Sequence, residues 1–219
     1  MTYRRMNLAA IVVVGAIAAI ATAALQRLPA GTQLPVHWNA AGQADGFADA
    51  QRALFMPAVL AAVISLVMAV LPRIEPMQQR LSQSASLYRT GWAGLLGMMV
   101  LTECVIAAPA FGLWLPATLH LAAGGVLLIV IGNVLPKSRP GFFVGIRTPW
   151  TLTDPDNWVA THRLGARTMI LGGVMMIGAA VLPIDPAARQ ALVMSGITVA
   201  VLPPIVFSWW FWRRRNTQP

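Results

Sequence analysis

The sequence contains few charged residues and almost no cysteine. Of its 219 residues only 11% are charged and 57% are hydrophobic, whereas a soluble domain averages about 25% charged residues. This composition excludes an ordinary soluble domain and is typical of a membrane protein. The single cysteine, Cys104, lies within an apolar run, which excludes a disulfide framework, a CxxC motif and a cysteine-based zinc site.

Six apolar segments have about the length that crossing a bilayer requires, roughly 17–25 residues. We predict an all-α membrane protein, a bundle of six transmembrane helices with one long outer loop and one long inner loop. The fifth helix is expected to be the shortest. Residues 1–72 are predicted to form an N-terminal two-helix unit and residues 73–219 a C-terminal four-helix unit. The segments are at about 6–26, 54–71, 92–112, 113–135, 168–182 and 191–212.

The basic residues indicate how the helices are oriented. The chain carries 16 Lys and Arg against 7 Asp and Glu, and an even number of helices places both termini on one side. That side receives 13 of the 16 basic residues, all except Arg27, Arg52 and Arg189. Cytoplasmic loops are enriched in Lys and Arg, so the pattern predicts cytoplasmic termini and explains the net charge without a nucleic-acid partner. An apolar run of about 20 residues, longer than the usual 7–15, favours an uncleaved first helix over a signal peptide.

The outer loop, at about 27–53, is longer than a connection between helices needs. Its two prolines disfavour helix, so the segment TQLPVHW is predicted to be extended, followed by a turn and by a helix that starts near Phe47. His37 and Asp45 are residue types that bind zinc, but their spacing matches no zinc signature. We therefore predict no metal and no other cofactor, and a capped turn with Trp38 at the membrane surface.

The inner loop, at about 136–165, contains two pairs of a capping residue and a proline. Thr148-Pro149 and Asp154-Pro155 each predict the start of a short helix. The second of these helices is expected to follow the membrane face to residue 165 and then turn into the fifth span. Residues that share one of its faces at helical spacing are Trp158, Thr161, His162 and Gly165.

Two interpretations of this inner segment follow from its residues alone. One is an interfacial helix that is anchored by Trp150 and Trp158 and whose arginines contact lipid headgroups. The other is a specific binding or catalytic site. Composition does not choose between them.

Two strings resemble a known family. GNVLPKSRPGFFVGIRTPWTL, residues 132–152, followed by NWVATHRLG, residues 157–165, resembles the signature of the SdpI immunity-protein family of bacterial membrane proteins. LPVHWNAAGQADG, residues 34–46, resembles a small domain of unknown function that often precedes it. The resemblance implies a multi-pass protein of the bacterial cytoplasmic membrane that confers immunity to a secreted peptide toxin or relays an envelope signal, and that captures a cytoplasmic transcriptional repressor.

The resemblance also nominates functional residues on both sides of the membrane, without a catalytic role for any of them. On the inner side they are Asn133, Pro136, Gly145, Arg147, Thr148, Pro149, Trp150, Trp158, His162 and Arg163, joined by Thr161 from the shared helix face. On the outer side they are Pro35, His37, Trp38, Asn39, Gly42 and Asp45.

Two ionisable residues lie inside predicted spans. Glu103 is near the middle of the third span, where an ionised carboxylate costs roughly 2.5–3.5 kcal/mol, and His120 enters the fourth span from the outer side. We expect them to pair across the two helices. The pair would be either a structural hydrogen bond or part of a proton or ion path.

No GxSxG, phosphate-loop or HExxH motif is present, and we predict that the protein is not an enzyme. The leading hypothesis is an immunity or signalling protein of the SdpI type. The alternatives are a small transporter or proton channel that uses Glu103, and a membrane-embedded metal-dependent enzyme that uses His37 or His162.

Overall fold

The computed structural model describes residues 3–76 and 78–217. Six of its helices, α1, α2, α4, α5, α7 and α8, are long and apolar enough to cross a membrane, which confirms the predicted fold class. Two 3-10 turns, Ala108–Phe111 and Leu135–Lys137, follow α4 and α5. The elements are α1 Arg4–Leu25, β1 Gln33–Trp38, β2 Ala44–Asp49, α2 Ala50–Ile74, α3 Gln78–Gln83, α4 Ala85–Ala107, α5 Thr118–Val134, α6 Pro149–Thr153, α7 Pro155–Val181 and α8 Pro186–Asn216.

The six long helices run alternately up and down, so the bundle has two distinct ends. At the hairpin end, Arg189 at the start of α8 donates from Nη1 to the carbonyl oxygen of Ala41 in the turn between β1 and β2, at 3.4 Å. At the loop end, Arg215 near the end of α8 forms an ion pair with Asp156 at the start of α7, at 2.8 Å. The first turn of α1 and the last turn of α8 both lie at the loop end. Because the loop end also holds most of the basic residues, the positive-inside rule predicts that it faces the cytoplasm.

The first helix group consists of α1, α2 and α4 and packs through large side chains. Ile17, Tyr88, Trp92 and Leu96 are buried at its centre. The Trp92 indole is fully buried and donates from Nε1 to the Ser65 hydroxyl at 3.3 Å. Trp92 therefore faces neighbouring helices and not the membrane surface.

The second helix group consists of α5, α7 and α8 and packs through glycines. A Cβ atom on Gly125 would come within 2.5 Å of the Gly173 carbonyl oxygen, and one on Gly173 within 2.4 Å of the Gly125 oxygen. Gly172 of α7 and Gly196 of α8 meet in the same way, since a Cβ on Gly172 would lie 2.3 Å from the Gly196 carbonyl oxygen. Small residues allow helix backbones to touch, which is how membrane helices gain van der Waals contact.

Prolines inside two helices leave carbonyl groups that hydroxyls from neighbouring helices satisfy. Pro72 has no N–H to donate to the Met68 carbonyl four residues earlier, and the Tyr88 hydroxyl of α4 donates to that oxygen instead. Pro204 leaves the Ala200 carbonyl in the same position, and the Thr168 hydroxyl of α7 donates to it at 3.3 Å. These contacts keep α2 and α8 continuous in an apolar environment.

The fifth span differs from the prediction. α7 is one uninterrupted helix of 27 residues, so residues 155–165 do not form a separate helix along the membrane face. The reason is packing around Gly165, where a Cβ would lie 2.5 Å from Ile146 and 3.2 Å from Leu135. Glycine inside a helix lowers stability by only about 1 kcal/mol relative to alanine, so Gly165 does not end the helix. At 1.5 Å per residue α7 is about 40 Å long, longer than the roughly 30 Å hydrocarbon core.

The segment before α2 also differs from the prediction. Residues near Phe47 form strand β2 and not the start of a helix, because Phe47 pairs with Pro35 in an antiparallel ladder between β1 and β2. α2 begins at Ala50, where the Asp49 side chain caps it by accepting from the Arg52 N–H at 3.0 Å. The extended segment and the turn predicted before it are confirmed.

Candidate functional site

The loop that joins α5 to α6, residues 138–148, lies flat on two stacked rings of α7. The Trp158 and His162 rings are buried and stack with centroids 4.1 Å apart and planes inclined by 17°. Gly145 covers them with a φ of +120°, and a Cβ there would lie 2.6 Å from His162 Nε2 and from the Trp158 ring. Only glycine allows the backbone to approach this closely. Trp158 is therefore a core residue, and the interpretation that it anchors the chain at the membrane surface is wrong.

His162 uses both ring nitrogens to bind the backbone. The Ile146 N–H donates to Nε2 at 2.9 Å, and Nδ1 lies 2.8 Å from the Trp158 carbonyl oxygen. A backbone N–H can only donate, so Nε2 accepts and Nδ1 carries the proton. This tautomer leaves no lone pair for a metal ion, so the geometry favours a structural role for His162.

Buried hydroxyl and amide groups join α6, α7 and α8 behind the loop. The Thr148 hydroxyl donates to the Ser208 hydroxyl at 3.0 Å, and the Asn157 amide donates to the Ser208 carbonyl oxygen at 2.8 Å. The Thr161 hydroxyl donates to the Asn157 side-chain oxygen at 2.9 Å. Thr148 and Thr151 also form the capping box of α6. The predicted helix starts at Thr148-Pro149 and Asp154-Pro155 are confirmed.

Three members of this network, Thr151, Asn157 and Ser208, are not among the residues nominated from the sequence. Asn157 carries a local signal, because it lies four residues before Thr161 on the same helix face. Ser208 carries none, since it is 51 residues from Asn157. Only the packing of α8 on α7 brings them together.

The other side of the α5–α6 loop is fastened to the first helix group. The Glu75 carboxylate, at the end of α2, accepts from the Phe143 N–H at 3.1 Å and the Phe142 N–H at 3.3 Å. The Ser84 hydroxyl, just before α4, accepts from the Arg139 N–H at 2.9 Å. Both side chains are buried, and neither was expected from the sequence because each lies more than 50 residues from its partner. The loop therefore links the two helix groups.

The nominated loop-end residues thus divide into two sets. Gly145, Thr148, Trp158, Thr161 and His162 lie in or against the core and fix the shape of the loop. Trp150 is half-buried. The exposed set, which is available to a ligand, consists of Asn133, Pro136, Arg147, Pro149 and Arg163.

The nominated hairpin-end residues lie together on the β1–β2 hairpin. His37 Nδ1 is 2.5 Å from Asp45 Oδ1, and the two side chains are 71% and 42% exposed. Asn39 shapes the turn, since its side-chain oxygen accepts from the Ala41 and Gln43 N–H groups at 3.0 Å. Gly42 has a φ of +78° in this turn. The hairpin is therefore preformed, with an exposed polar pair on its surface.

The hairpin is also packed on the helices beneath it. The Trp38 ring stacks on the His120 ring at the start of α5, with centroids 4.7 Å apart. His120 Nδ1 lies 3.2 Å from the Ala117 carbonyl oxygen. Pro35, on β1, contributes to a cleft beside Trp38 and Trp114.

The predicted pairing of Glu103 with His120 is wrong. Glu103 is fully buried within α4, and neither of its carboxyl oxygens has a hydrogen-bond partner among residues 3–76 and 78–217. His120 Nε2 is likewise buried without a partner in that part of the chain. The reason is that His120 packs its ring on Trp38, at the hairpin end, rather than towards α4.

No metal centre is evident in the described residues, where no three His, Cys, Asp or Glu side chains come close enough to hold an ion together. The exposed His37–Asp45 pair supplies two ligand types. A closed structural zinc site takes four ligands. The pair therefore does not by itself form such a site.

Comparisons with known proteins match both ends of the molecule. The SdpI/YfhL protein family matches residues 137–208, which contain the α5–α6 loop, α6, α7 and most of α8. The chain is therefore similar to the SdpI/YfhL family over this segment of 72 of its 219 residues. A domain of unknown function (DUF1648) matches residues 11–61, which contain the hairpin.

Among curated proteins, the chain is similar to "Immunity protein SdpI" of Bacillus subtilis (strain 168), with 31% identity over 52 residues. That stretch is 24% of this chain and 25% of the relative, so the similarity spans about a quarter of the length of each protein. No solved structure matches the chain significantly.

Proposed function

We propose that this protein belongs to the SdpI family and is a membrane-resident immunity protein that protects its cell from a secreted peptide toxin by binding. One observation carries the proposal. Residues 137–208, which match the family, coincide with a loop and helices fixed by buried hydrogen bonds around His162 and Ser208. A surface that is already ordered loses less entropy when it binds a partner, and no catalytic step is assigned to it.

The two ends of the bundle would have different tasks. The hairpin, with the exposed His37–Asp45 pair, would contact the toxin outside the cell. The loop end, with exposed Arg147 and Arg163, would be read by a partner in the cytoplasm, such as a transcriptional repressor. Its excess of arginine would favour a partner with an acidic surface.

Survival of a toxin-sensitive bacterial strain that expresses the chain tests the proposal. The intact protein is expected to protect the cells. His37→Ala, on the exposed face of β1, should reduce protection, whereas Gln33→Ala on the same strand should not, because Gln33 lies outside the nominated motif. Membrane abundance is measured for every variant, so that loss of protection is not confused with loss of protein.

A lack of protection by the intact chain at normal abundance would contradict the immunity role. Protection that is unaffected by His37→Ala but lost in Arg147→Ala would move toxin recognition away from the hairpin. In both cases the intact protein and the Arg147→Ala variant are each purified from cells, and the proteins that copurify with them are compared. This comparison reports on a cytoplasmic partner separately from protection.

A second candidate function is movement of protons or ions through the bundle. It is favoured by one observation, the fully buried carboxyl group of Glu103 without a hydrogen-bond partner in the described residues. Ionisable groups inside a membrane often mark a transport path.

Flux into proteoliposomes that contain a pH-sensitive dye tests this candidate. Glu103→Gln should abolish flux and leave protection from toxin unchanged, and Thr102→Val on the same helix serves as the matched control. Absence of flux in the intact protein would exclude the candidate.

A further inference from the structure

An apolar cleft of about 270 Å³ lies between the two helix groups at the loop end. Its walls come from α2, α4, α5 and α7, and loop residues 143–146 close its top. Met68, Leu87, Ile131 and Met169 line the walls. Gly91 also lines it, and a Cβ at Gly91 would meet no atom within 4 Å. The space is therefore open, and no described side chain of the protein fills it at that point.

The cleft lies near the loop-end termini of the helices that are long enough to cross a membrane. Leu71 is three residues from the end of α2, Tyr88 is three residues from the start of α4, and Leu135 directly follows α5. At 1.5 Å per residue these positions are within about 5 Å of the helix ends. A lipid chain that enters the cleft would thus have its headgroup beside the α5–α6 loop.

Two arginines without acidic partners contact the loop that covers the cleft, Arg147 within the loop and Arg80 in α3. Arg147 donates from Nη1 to the Phe142 carbonyl oxygen at 2.6 Å, and Arg80 donates from Nη1 to the Pro140 carbonyl oxygen at 3.3 Å. Both bonds hold a guanidinium group against the loop backbone. Among residues 3–76 and 78–217 neither group forms an ion pair with a carboxylate.

The acidic groups at this end of the bundle already have partners. Glu75 accepts from two loop N–H groups, and Asp154 and Asp156 form ion pairs with Arg215. Glu75 keeps its negative charge at the loop, but Arg139 and Arg147 belong to the loop and Arg80 contacts it, so the net charge beside the cleft is positive. A guanidinium group has five N–H donors, so each arginine keeps donors for an anion after its single bond to the loop.

We propose that this cleft binds one anionic phospholipid, with an acyl chain between the helix groups and the phosphate on Arg147 and Arg80. Basic pockets between transmembrane helices on the cytoplasmic side are suited to anionic headgroups. A neutral headgroup would leave the arginines unmatched. The bound lipid would fill the gap between the helix groups and hold the α5–α6 loop in place.

Native mass spectrometry of the full chain, released from nanodiscs of equimolar POPC and POPG, tests the proposal. One retained POPG per chain is expected. Gly91→Leu places a side chain in the cleft and should reduce retention about tenfold, whereas Gly97→Leu, on the same helix and also in open space, should retain POPG normally. Arg147→Ala should reduce retention about fivefold, and Arg52→Ala, at the opposite, hairpin end of the bundle, should not.

Three results would overturn the proposal. Equal retention of POPC and POPG would contradict recognition of an anionic headgroup. Normal POPG retention in Gly91→Leu would show that the cleft holds no acyl chain and would direct attention to an apolar peptide side chain as its occupant. Competition by soluble glycerol phosphate as strong as by POPG would show that the arginines bind free phosphate and that the cleft contributes nothing. Thermal unfolding of each variant confirms that it is folded.

Discussion

The two helix groups bury their interfaces in different ways. In the second group the backbones of α5, α7 and α8 touch at Gly125, Gly173, Gly172 and Gly196. In the first group large side chains such as Trp92 keep α1, α2 and α4 apart, and a cavity of about 340 Å³ remains among them. Lipid tails are as apolar as the side chains, so membrane helices gain stability mainly from close contact. The comparison indicates that the second group is the more rigid platform, and it is this group that holds the α5–α6 loop.

The largest effect is expected where backbones touch. Gly173→Ala forces a Cβ to within 2.4 Å of the Gly125 carbonyl oxygen, and such overpacking costs about 1–3 kcal/mol. Thermal unfolding in detergent should show a clearly lower midpoint. Gly97→Ala on α4, where a Cβ meets nothing within 4 Å, is the matched control and should not lower it. Equal midpoints would mean that the two groups do not differ in tightness.

A slightly smaller effect is expected where the loop meets the second group. His162→Leu leaves the Ile146 N–H without its acceptor, which costs about 1–3 kcal/mol when the group stays away from water. Hydrogen exchange should become faster at Ile146 while exchange at Phe142 and Phe143 changes less, because Glu75 still accepts from them. If all three amides exchanged equally fast, the loop would open as one unit and its two attachments would not be separable.

The hydroxyls that bind the carbonyl groups left free by Pro72 and Pro204 allow the stability of the two groups to be compared directly. Tyr88→Phe removes the donor to the Met68 carbonyl in the first group, and Thr168→Val removes the donor to the Ala200 carbonyl in the second. Each change is expected to cost about 1 kcal/mol, measured as a shift of the unfolding midpoint. A looser group adapts more easily, so the Tyr88→Phe cost should be the smaller of the two. The reverse order would contradict the proposed difference in rigidity.

The smallest effect on the bundle is expected at the hairpin end. Asn39→Ala removes the acceptor for the Ala41 and Gln43 N–H groups, a turn contact of about 1 kcal/mol at a site that is open to water. Hydrogen exchange at Gln43 should become faster while the global unfolding midpoint stays nearly constant. Asn39→Asp keeps the acceptor and is the control. A large drop in the midpoint would show that the hairpin supports the whole bundle.

Much of the architecture was predictable because it depends on composition and spacing. Apolar runs of sufficient length specify helices wherever backbone groups have no water to bind, and six such helices are present. Capping residues before proline predicted the starts of α6 and α7, and the prolines and turn residues of the outer loop predicted an extended segment and a turn. These signals are local, so neighbouring residues are enough to interpret them.

Other features depended on contacts between distant residues and were not predictable. Gly165 looked like the end of a surface helix, but contacts with Ile146 and Leu135 make it an ordinary position in α7. Phe47 looked like the start of a helix, but pairing with β1 makes it part of a strand. Glu103 and His120 looked like partners by depth alone, yet stacking on Trp38 directs the His120 ring elsewhere.

The sequence by itself determined that this is a membrane protein with six helices, most of its positive charge at one end, and two unusual loops. Hydropathy and charge spacing are properties of the chain that folding does not alter. Only the tertiary structure decided which loop residues are buried, because burial of Trp158 and His162 requires Gly145 to approach from another segment. It alone brought Glu75 and Ser84 to the α5–α6 loop, since a hydrogen bond between residues so far apart in the chain forms only when the helices pack.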